Sequence, residues 1–293
     1  MPEGDTIFRS ARTLNRALAG ETVTDFETAY APLARLNDDT PVAGRTIERV
    51  ESRGKWLLIY FSGDLILLTH MLMNGSWHIY RRGERWQRPR GQMRVVIRTD
   101  HYEAVAFNVP IAEFHTSRSL ERHSSLPKLG PDVLGASFKE DEAALRLRAN
   151  ADEQIANVLL NQQVMAGIGN VFKSEICFAC GVHPFRLVST LNENEVQCLL
   201  DTARRQLSAN VLESSADSPV TYSGWRRTRR TSDPGARLWV YRREGRPCRR
   251  CGTAILMRKQ GTGARSTYWC PECQPMVETN TKAAHGNALQ NNY

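Results

Sequence analysis

The cysteine spacing near the C-terminus constrains the fold more than any other feature of this 293-residue chain. Cys248 and Cys251 form one C-x2-C pair, Cys270 and Cys273 form a second, and residues 252–269 separate them. This spacing is typical of a zinc ribbon, in which four thiolates surround one Zn²⁺. Four sulfur ligands leave no position for substrate or water, so we expect a structural metal. Two disulfides are the alternative, which a reducing compartment disfavours.

The rest of the chain predicts such a compartment. Charged residues at Glu3, Asp5 and Arg9 precede any apolar run, which is unlike a signal peptide. No apolar stretch reaches the roughly 18 residues that a membrane span requires. We therefore expect a soluble, cytoplasmic protein, associated with the nucleoid if it is bacterial. Cys177 and Cys180 lie inside a predicted helix without a second pair, so they are expected to be core residues.

Positive charge is concentrated in two parts of the sequence. The net charge is +8, and residues 226–265 contain 13 Arg/Lys against 2 acids, which is 13 − 2 = +11. The rest of the chain therefore carries 8 − 11 = −3. Residues 81–98 form a second basic run, with seven arginines and one acid. Arginine concentrated in this way indicates binding to a nucleic-acid backbone. A charged, solvated face is the alternative, and the run at 226–230 could also be a nuclear-import signal.

Hydrophobic periodicity divides the chain into a strand-rich and a helix-rich part. Asp5 can cap a helix with apolar residues at helical spacing up to Leu18, and Gly20 ends it. Short apolar strands separated by turn residues follow and predict a two-sheet sandwich packed on that helix. The predicted strands are Ile47–Val50, Trp56–Phe61, Leu65–Thr69, Ser76–Tyr80 and Met93–Ile97, with Thr22–Phe26 uncertain.

The dipeptide Gly130-Pro131 predicts a boundary, because it interrupts regular structure. Four helices are predicted beyond it, at 140–148, 152–163, 171–180 and 193–212. The predicted class is α+β. Its domains are a β-sandwich (1–130), a helical domain (131–236), the ribbon (237–276) and a polar tail (277–293) that we expect to be disordered.

The N-terminal sequence Met1-Pro2-Glu3-Gly4-Asp5 offers reactive chemistry. If Met1 is removed, Pro2 becomes a secondary amine with about 300-fold more free base at neutral pH than a lysine, from reference pKa values. Attack of such an amine on a sugar carbon gives a cationic iminium, which withdraws electrons strongly. The alternative is that Pro2 only follows the start codon, and these residues alone favour it.

Three further sites, with four residues between them, could contact phosphate. Gly169 and Asn170 directly precede a predicted helix, whose first N–H groups attract anions. Arg265 follows the glycine-rich turn of the ribbon, and its guanidinium can grip a phosphate with two hydrogen bonds. Lys55 follows the turn residue Gly54. The alternatives are an ordinary turn, a solvated arginine and a solvated lysine.

Together these segments resemble the formamidopyrimidine-DNA glycosylase/endonuclease VIII family, which excises oxidised bases. The resemblance covers residues 2 to about 275. It rests on Pro2-Glu3-Gly4-Asp5, Ser52-Arg53-Gly54-Lys55, Leu129-Gly130-Pro131-Asp132-Val133-Leu134, Gln163-Val164-Met165-Ala166-Gly167-Ile168-Gly169-Asn170 and the ribbon with Arg265.

The resemblance implies a fold and a mechanism. The fold is an N-terminal β-sandwich and a C-terminal helix-two-turn-helix domain with a zinc ribbon, flanking a cleft for damaged double-stranded DNA. Pro2 is expected to be the nucleophile at C1′, Glu3 the acid/base and Lys55 the third catalytic residue. Asn170 and Arg265 are expected to hold phosphates around the flipped nucleotide, and β,δ-elimination then cuts the strand. A monomer is expected.

The branch of the family depends on a wedge that fills the space left by the flipped base. The formamidopyrimidine branch uses an Arg and a Phe from a separate loop, and the stretch from Ala106 to Ile111 lacks this pair. Leu72, Met73 and Asn74 match the contiguous wedge of the endonuclease VIII branch, and apolar wedges suit this task. A plain turn between buried strands is the alternative. Oxidised pyrimidines are therefore the expected substrates.

Two other functions stay open at this point. One is a glycosylase for oxidised purines such as 8-oxoguanine. The other is a non-catalytic zinc-ribbon protein that binds DNA and keeps the fold without the chemistry. Retention of Met1 would block the amine and favour this second alternative.

Overall fold

A computed structural model describes residues 2–213, 221 and 234–276. The N-terminal half combines three helices with eight strands. They are α1 (Gly4–Leu18), β1 (Asp25–Thr28), α2 (Ala31–Asp39), β2 (Ile47–Arg53), β3 (Trp56–Phe61), β4 (Leu65–His70), β5 (Ser76–Arg81), β6 (Met93–Arg98), β7 (Tyr102–Phe107), β8 (Ile111–His115) and α3 (Ser117–Glu121). The apolar residues of α1 that share helical spacing are buried, as predicted.

The strands form the predicted β-sandwich. Two four-stranded antiparallel sheets have the orders β1-β6-β7-β5 and β2-β3-β4-β8, and α1 packs on β2. Strand β3 has the predicted bounds and is apolar throughout because both of its faces are covered. Leu57 and Ile59 belong to the main core, whereas Leu58 and Tyr60 pack with Leu126 on the opposite face.

Some predictions for this half were incomplete or wrong. Helices α2 and α3 and strands β7 and β8 were not predicted, and only Leu33 is buried among the nine residues of α2. The basic run at 81–98 is partly neutralised, because Arg98 forms ion pairs with Asp25, Glu27 and Glu103. This part of the run therefore stabilises the sheet instead of facing solvent as a free phosphate site.

The second half contains α4 (Glu140–Arg148), α5 (Ile155–Leu160), α6 (Asn170–Ala179) and α7 (Glu193–Glu213) around a second core. Helix α5 is shorter than the predicted 152–163. The Gln162 side chain explains this difference, since its amide donates to the carbonyls of Leu160 and Ile168 and its oxygen accepts the N–H of Gly167. These bonds favour a compact turn over another turn of helix.

The two cysteines of α6 differ from one another. Cys177 is fully buried, which confirms its placement in the core. The same prediction was only partly right for Cys180, which follows the last residue of α6, is half-buried against the second core and forms a disulfide with Cys198 of α7. Its position at the helix end brings its sulfur to α7.

The ribbon is a two-stranded antiparallel hairpin of β9 (Leu256–Gln260) and β10 (Arg265–Trp269). It packs through Cys248, Cys270 and Ile255 against Phe178 at the end of α6. Within the described residues, no helix is both long and apolar enough to span a bilayer. The basic run at 226–230 and the tail at 277–293 lie outside the described residues.

Candidate active site

The N-terminal segment is held against the loop that precedes α6. The N–H of Gly4 donates to the carbonyl of Gly167 at 2.8 Å. A Cβ on Gly4 would lie only 2.7 Å from the Cα of Gly167, so this approach requires glycine. Pro2 is half-buried at this junction, directly before the fully buried Glu3.

The carboxylate of Glu3 caps the first turn of α6. Its Oε1 accepts the N–H of Val171 at 2.7 Å, and its Oε2 accepts those of Gly169 at 3.1 Å and Phe172 at 3.2 Å. A Cβ on Gly169 would lie 2.3 Å from the Glu3 Cδ, so the carboxylate fits only above a glycine. Three donors and the positive end of the helix dipole hold this anion in one orientation.

This arrangement corrects one expectation for the helix start. Gly169 was predicted to offer its N–H to a DNA phosphate, but here that N–H donates to Glu3. The physical reason is that the chain supplies its own anion to the helix N-terminus from 166 residues away in sequence. Spacing along the chain does not reveal such a contact.

The pKa of Glu3 is raised from its ordinary value of 4.5 to about 7. Burial is the main cause, and Asp5 adds to it. The charge of Lys55 and the hydrogen bonds from Val171 and Phe172 act in the opposite direction. Near neutral pH this carboxyl can therefore both donate and accept a proton.

Lys55 is the last residue of the turn between β2 and β3, and Asp132 holds that turn. The N–H of Gly54, which has a φ of +59°, donates to the Asp132 carboxylate at 2.7 Å. The other oxygen of Asp132 accepts the N–H of Leu134 at 3.0 Å. Burial lowers the pKa of Lys55, the nearby charge of Glu3 raises it and that of Arg265 lowers it. The structure thus brings Glu3, Lys55 and Arg265 into one electrostatic cluster.

Asn170 and Arg265 are joined through the ribbon backbone. Asn170 is the first residue of α6, and its Nδ2 donates to the carbonyl of Ser266 at 3.0 Å and to the Tyr241 hydroxyl at 3.3 Å. Arg265 is exposed at the start of β10, next to Ser266. The Oδ1 of Asn170 is buried and has no hydrogen-bond partner among the described residues. The amide of Asn170 and the exposed guanidinium of Arg265 therefore belong to neighbouring parts of the same surface.

A residue that was not predicted, Glu175, fixes the ribbon to α6. Glu175 is fully buried and accepts the N–H groups of Trp239, Val240 and Tyr241, each at 2.9 Å. It also accepts the hydroxyl of Thr221. A buried carboxylate with four donors holds the segment that leads into the ribbon. A glutamate on an apolar helix face was the only signal available in the sequence.

The predicted wedge forms the turn between β4 and β5. Leu72 and Met73 expose 46% and 56% of their surface, respectively, although both are apolar, and Asn74 is also exposed. Leu72 has a φ of +45°, which is strained for a residue with a branched side chain. Its N–H donates to His70 Nδ1 at 3.1 Å, and burial together with the charge of Lys55 lowers the pKa of His70 to about 4. The turn therefore stands beside the Lys55 cluster.

The four ribbon cysteines fit a zinc ion. Their sulfur atoms all lie within 4.8 Å of one another, with 3.9 Å between Cys248 and Cys273 and 3.4 Å between Cys251 and Cys270. A tetrahedral ion with bonds of about 2.3 Å requires sulfur separations of about 3.8 Å. The N–H of Arg250 donates to Cys248 Sγ at 3.4 Å, as expected of a thiolate acceptor. The zinc is structural.

Comparison with known proteins gives matches along nearly the whole chain. Three family models match: the formamidopyrimidine-DNA glycosylase N-terminal domain (residues 1–110), the formamidopyrimidine-DNA glycosylase H2TH domain (129–219) and a zinc finger found in FPG and IleRS (245–275). The probable endonuclease 8 2 of Streptomyces coelicolor is 39% identical over 94% of both chains. The DNA-(apurinic or apyrimidinic site) lyase Nei2 of Mycolicibacterium smegmatis is 37% identical over 94% of this chain and 99% of its own length.

Solved structures agree with this fold. A complex between the Lactococcus lactis Fpg and DNA with an abasic site superposes with a TM-score of 0.76. It covers 94% of this chain and 100% of its own, at 22% sequence identity. At this level of identity the likeness concerns the fold.

Proposed function

Because the chain belongs to the formamidopyrimidine-DNA glycosylase/endonuclease VIII family, we propose that it acts on damaged double-stranded DNA as a bifunctional glycosylase and AP lyase, with Pro2 as nucleophile. The names of its relatives, endonuclease 8 and AP lyase, support this enzyme class. The fold shared with an abasic-DNA complex supports DNA as the partner. The observation that carries the proposal is the buried carboxylate of Glu3 beside Pro2, oriented by three helix N–H groups.

The proposed reaction uses the amine of Pro2 after removal of Met1. The nitrogen attacks C1′, the glycosidic bond breaks, and the damaged base leaves with the bonding electrons and with the proton that the Pro2 nitrogen loses. Glu3 protonates O4′ as the sugar ring opens, which leaves an iminium between Pro2 and C1′. Loss of a C2′ proton expels the 3′ phosphate, and loss of the C4′ proton in a second elimination expels the 5′ phosphate.

Two properties of the site suit these steps. The Glu3 pKa of about 7 lets the group donate a proton in one step and accept one in another. Lys55 lies within electrostatic range of Glu3, and its positive charge favours phosphate groups as they leave. We assign Lys55 as the third catalytic residue.

The proposed DNA contacts surround this centre. Asn170 and Arg265 hold phosphates beside the flipped nucleotide. The hydrogen bond from Asn170 to the carbonyl of Ser266, the residue after Arg265, keeps the two side chains close to one another. Leu72, Met73 and Asn74 enter the space that the nucleotide leaves. A contiguous wedge on one turn favours oxidised pyrimidines as substrates, and the active species is proposed to be a monomer.

Borohydride trapping tests the nucleophile directly. A duplex with one abasic site is mixed with the processed protein and sodium borohydride, which reduces the iminium to a stable crosslink at the N-terminal residue. We expect a crosslink for the wild type and for Pro127→Gly, an exposed control position. Pro2→Gly should crosslink less because it offers a primary amine, and a variant that retains Met1 should not crosslink.

The outcomes separate the candidate functions. Equal crosslinking by the Met1-retaining variant would refute Pro2 as nucleophile, whereas binding without any crosslink would identify a non-catalytic DNA-binding protein. Excision measured on duplexes with thymine glycol, dihydrouracil and 8-oxoguanine tests the substrate preference. Faster release of 8-oxoguanine than of both pyrimidines would refute the preference alone.

A further inference from the structure

Lys173 is a buried cation that the proposed reaction does not use. It lies on α6 one turn after Asn170, is fully buried, and has no hydrogen-bond partner for its Nζ among the residues that the structure describes. Burial of an unpaired ammonium is costly, so lysines in protein interiors are nearly always paired. The position therefore calls for an anion that the described part of the chain does not supply.

The charged and titratable groups that face Lys173 come from three parts of the chain. Cys177 is one turn further on α6, Arg265 comes from β10 and Glu3 comes from the N-terminal segment. Burial lowers the pKa of Lys173 to about 8, with Arg265 acting in the same direction and Cys177 and Glu3 against it. Cys177 does not neutralise the lysine at pH 7, because burial raises the pKa of its thiol to about 12.

The cluster therefore contains more positive than negative charge. Lys55, Lys173 and Arg265 all interact with one another or with Glu3, and Glu3 is only partly ionised near neutral pH. Charges in a buried cluster are screened much less by salt than charges on the surface. A phosphodiester, which is ionised at every pH of interest, would relieve this imbalance.

We propose that Lys173, the third cation of this cluster beside Lys55 and Arg265, helps to bind the phosphodiester that Asn170 and Arg265 hold, and that it makes DNA binding depend on proton uptake. The inference rests on the proposed function, since it takes the DNA backbone as ligand. Lys173 lies one turn after Asn170 on the same helix and interacts electrostatically with Arg265, so an anion held by these two residues lies within electrostatic range of its charge. The charge on its Nζ attracts the bound phosphodiester electrostatically, so the Nζ need not reach the surface.

The direction of the pH effect follows from linkage. An anion favours the protonated lysine, so the pKa of Lys173 rises when DNA binds, and affinity falls as pH rises through the unbound value of about 8. If the bound pKa is higher by about one unit, Kd increases about fivefold between pH 7 and pH 9. Removal of the charge should then weaken binding about tenfold at pH 7.

The experiment measures Kd at pH 6.5–9 for a duplex with a tetrahydrofuran abasic analogue, which binds without being cleaved. Lys173→Met keeps the length of the side chain and removes the charge, Lys173→Arg keeps a charge that does not titrate, and Lys139→Met is the exposed control. We expect the wild type and Lys139→Met to lose affinity with rising pH. Lys173→Met should bind weakly with a reduced slope, and Lys173→Arg tightly with a reduced slope.

Each result decides a separate question. If Lys173→Met, with an unchanged melting temperature, keeps both the wild-type affinity and the wild-type pH slope, the inference is wrong and the lysine is structural. If Lys173→Met does not fold, Lys173→Arg still tests the slope, and a slope equal to that of the wild type overturns the inference. If the wild type binds the duplex with the abasic analogue no more tightly than an undamaged duplex, the proposed function fails instead.

Discussion

Replacement of Gly169 by alanine should remove catalysis while leaving the fold intact. The added Cβ would lie 2.3 Å from Glu3 Cδ and 2.6 Å from Glu3 Oε1, well inside van der Waals contact. The backbone at the start of α6 cannot retreat easily, so the carboxylate must leave its place above the helix. The contact is specific, because Gly91 has no atom within 4 Å of an added Cβ and serves as the control.

The magnitude follows from the bonds that are lost. Hydrogen bonds to charged groups contribute about 1.5–3 kcal/mol each, and three N–H groups hold this carboxylate. A general acid displaced from its position costs about 10²–10⁴-fold in rate. Overpacking costs about 1–3 kcal/mol of folding stability, which a domain of this size tolerates. We therefore expect Gly169→Ala to cleave abasic DNA at least about 100-fold more slowly than the wild type.

The assay is single-turnover cleavage of an abasic duplex at pH 7, with the melting temperature measured in parallel. The ratio of the wild-type rate to the Glu3→Gln rate should fall about tenfold between pH 6 and pH 8, because Glu3 loses its proton with a pKa of about 7. Protonation of the Pro2 amine affects both enzymes equally and cancels in this ratio. A wild-type rate in Gly169→Ala, with Gly91→Ala equally active, would refute the placement of the acid on α6.

Three further outcomes are expected. Leu72→Gly removes a residue with a strained φ of +45°, so the melting temperature should not fall. Excision of damaged bases should drop about tenfold, while cleavage of abasic DNA should persist. A parallel loss of both activities would contradict the role of Leu72 as a wedge. Reduction of the Cys180–Cys198 disulfide, or Cys198→Ser, should lower the free energy of unfolding by about 3 kcal/mol, given the separation of 18 residues. Urea denaturation with and without reductant measures this change, and equal midpoints would contradict the stabilising role of the disulfide. Cys248→Ser should release zinc, which metal analysis measures. DNA binding should weaken about tenfold or more, because the hairpin that carries Arg265 loses its support. Full affinity without metal would show that the ribbon is dispensable.

Local sequence patterns predicted much of the fold. The bounds of Trp56–Phe61 were predicted without error, because a short continuous apolar run between turn residues is typical of a buried strand. The four helices of the second half were also predicted, since their apolar spacing is helical. The missed helix Ala31–Asp39 buries only Leu33, so it carries almost no periodic signal.

Contacts between distant parts of the chain could not be predicted in this way. Asp132 holds the Gly54 turn across 78 residues, and Glu175 holds Val240 across 65 residues. The short motifs around Gly54 and Asp132 were recognised separately, but their spacing does not show that one supports the other. The partner of Cys180 was missed for the same reason, because Cys198 lies on a different helix.

Helix α6 connects these separate observations. Its first turn orients the proposed acid Glu3 from the N-terminal segment, its first residue contacts the ribbon, and Glu175 holds the segment that leads into the ribbon. The proposed acid therefore has its orientation only when the N-terminal segment is docked on the helical domain. A loss of that docking would displace the acid and expose the α6 N–H groups in a single step. Activity should consequently be lost before the two hydrophobic cores unfold, because each core is built within its own half of the chain.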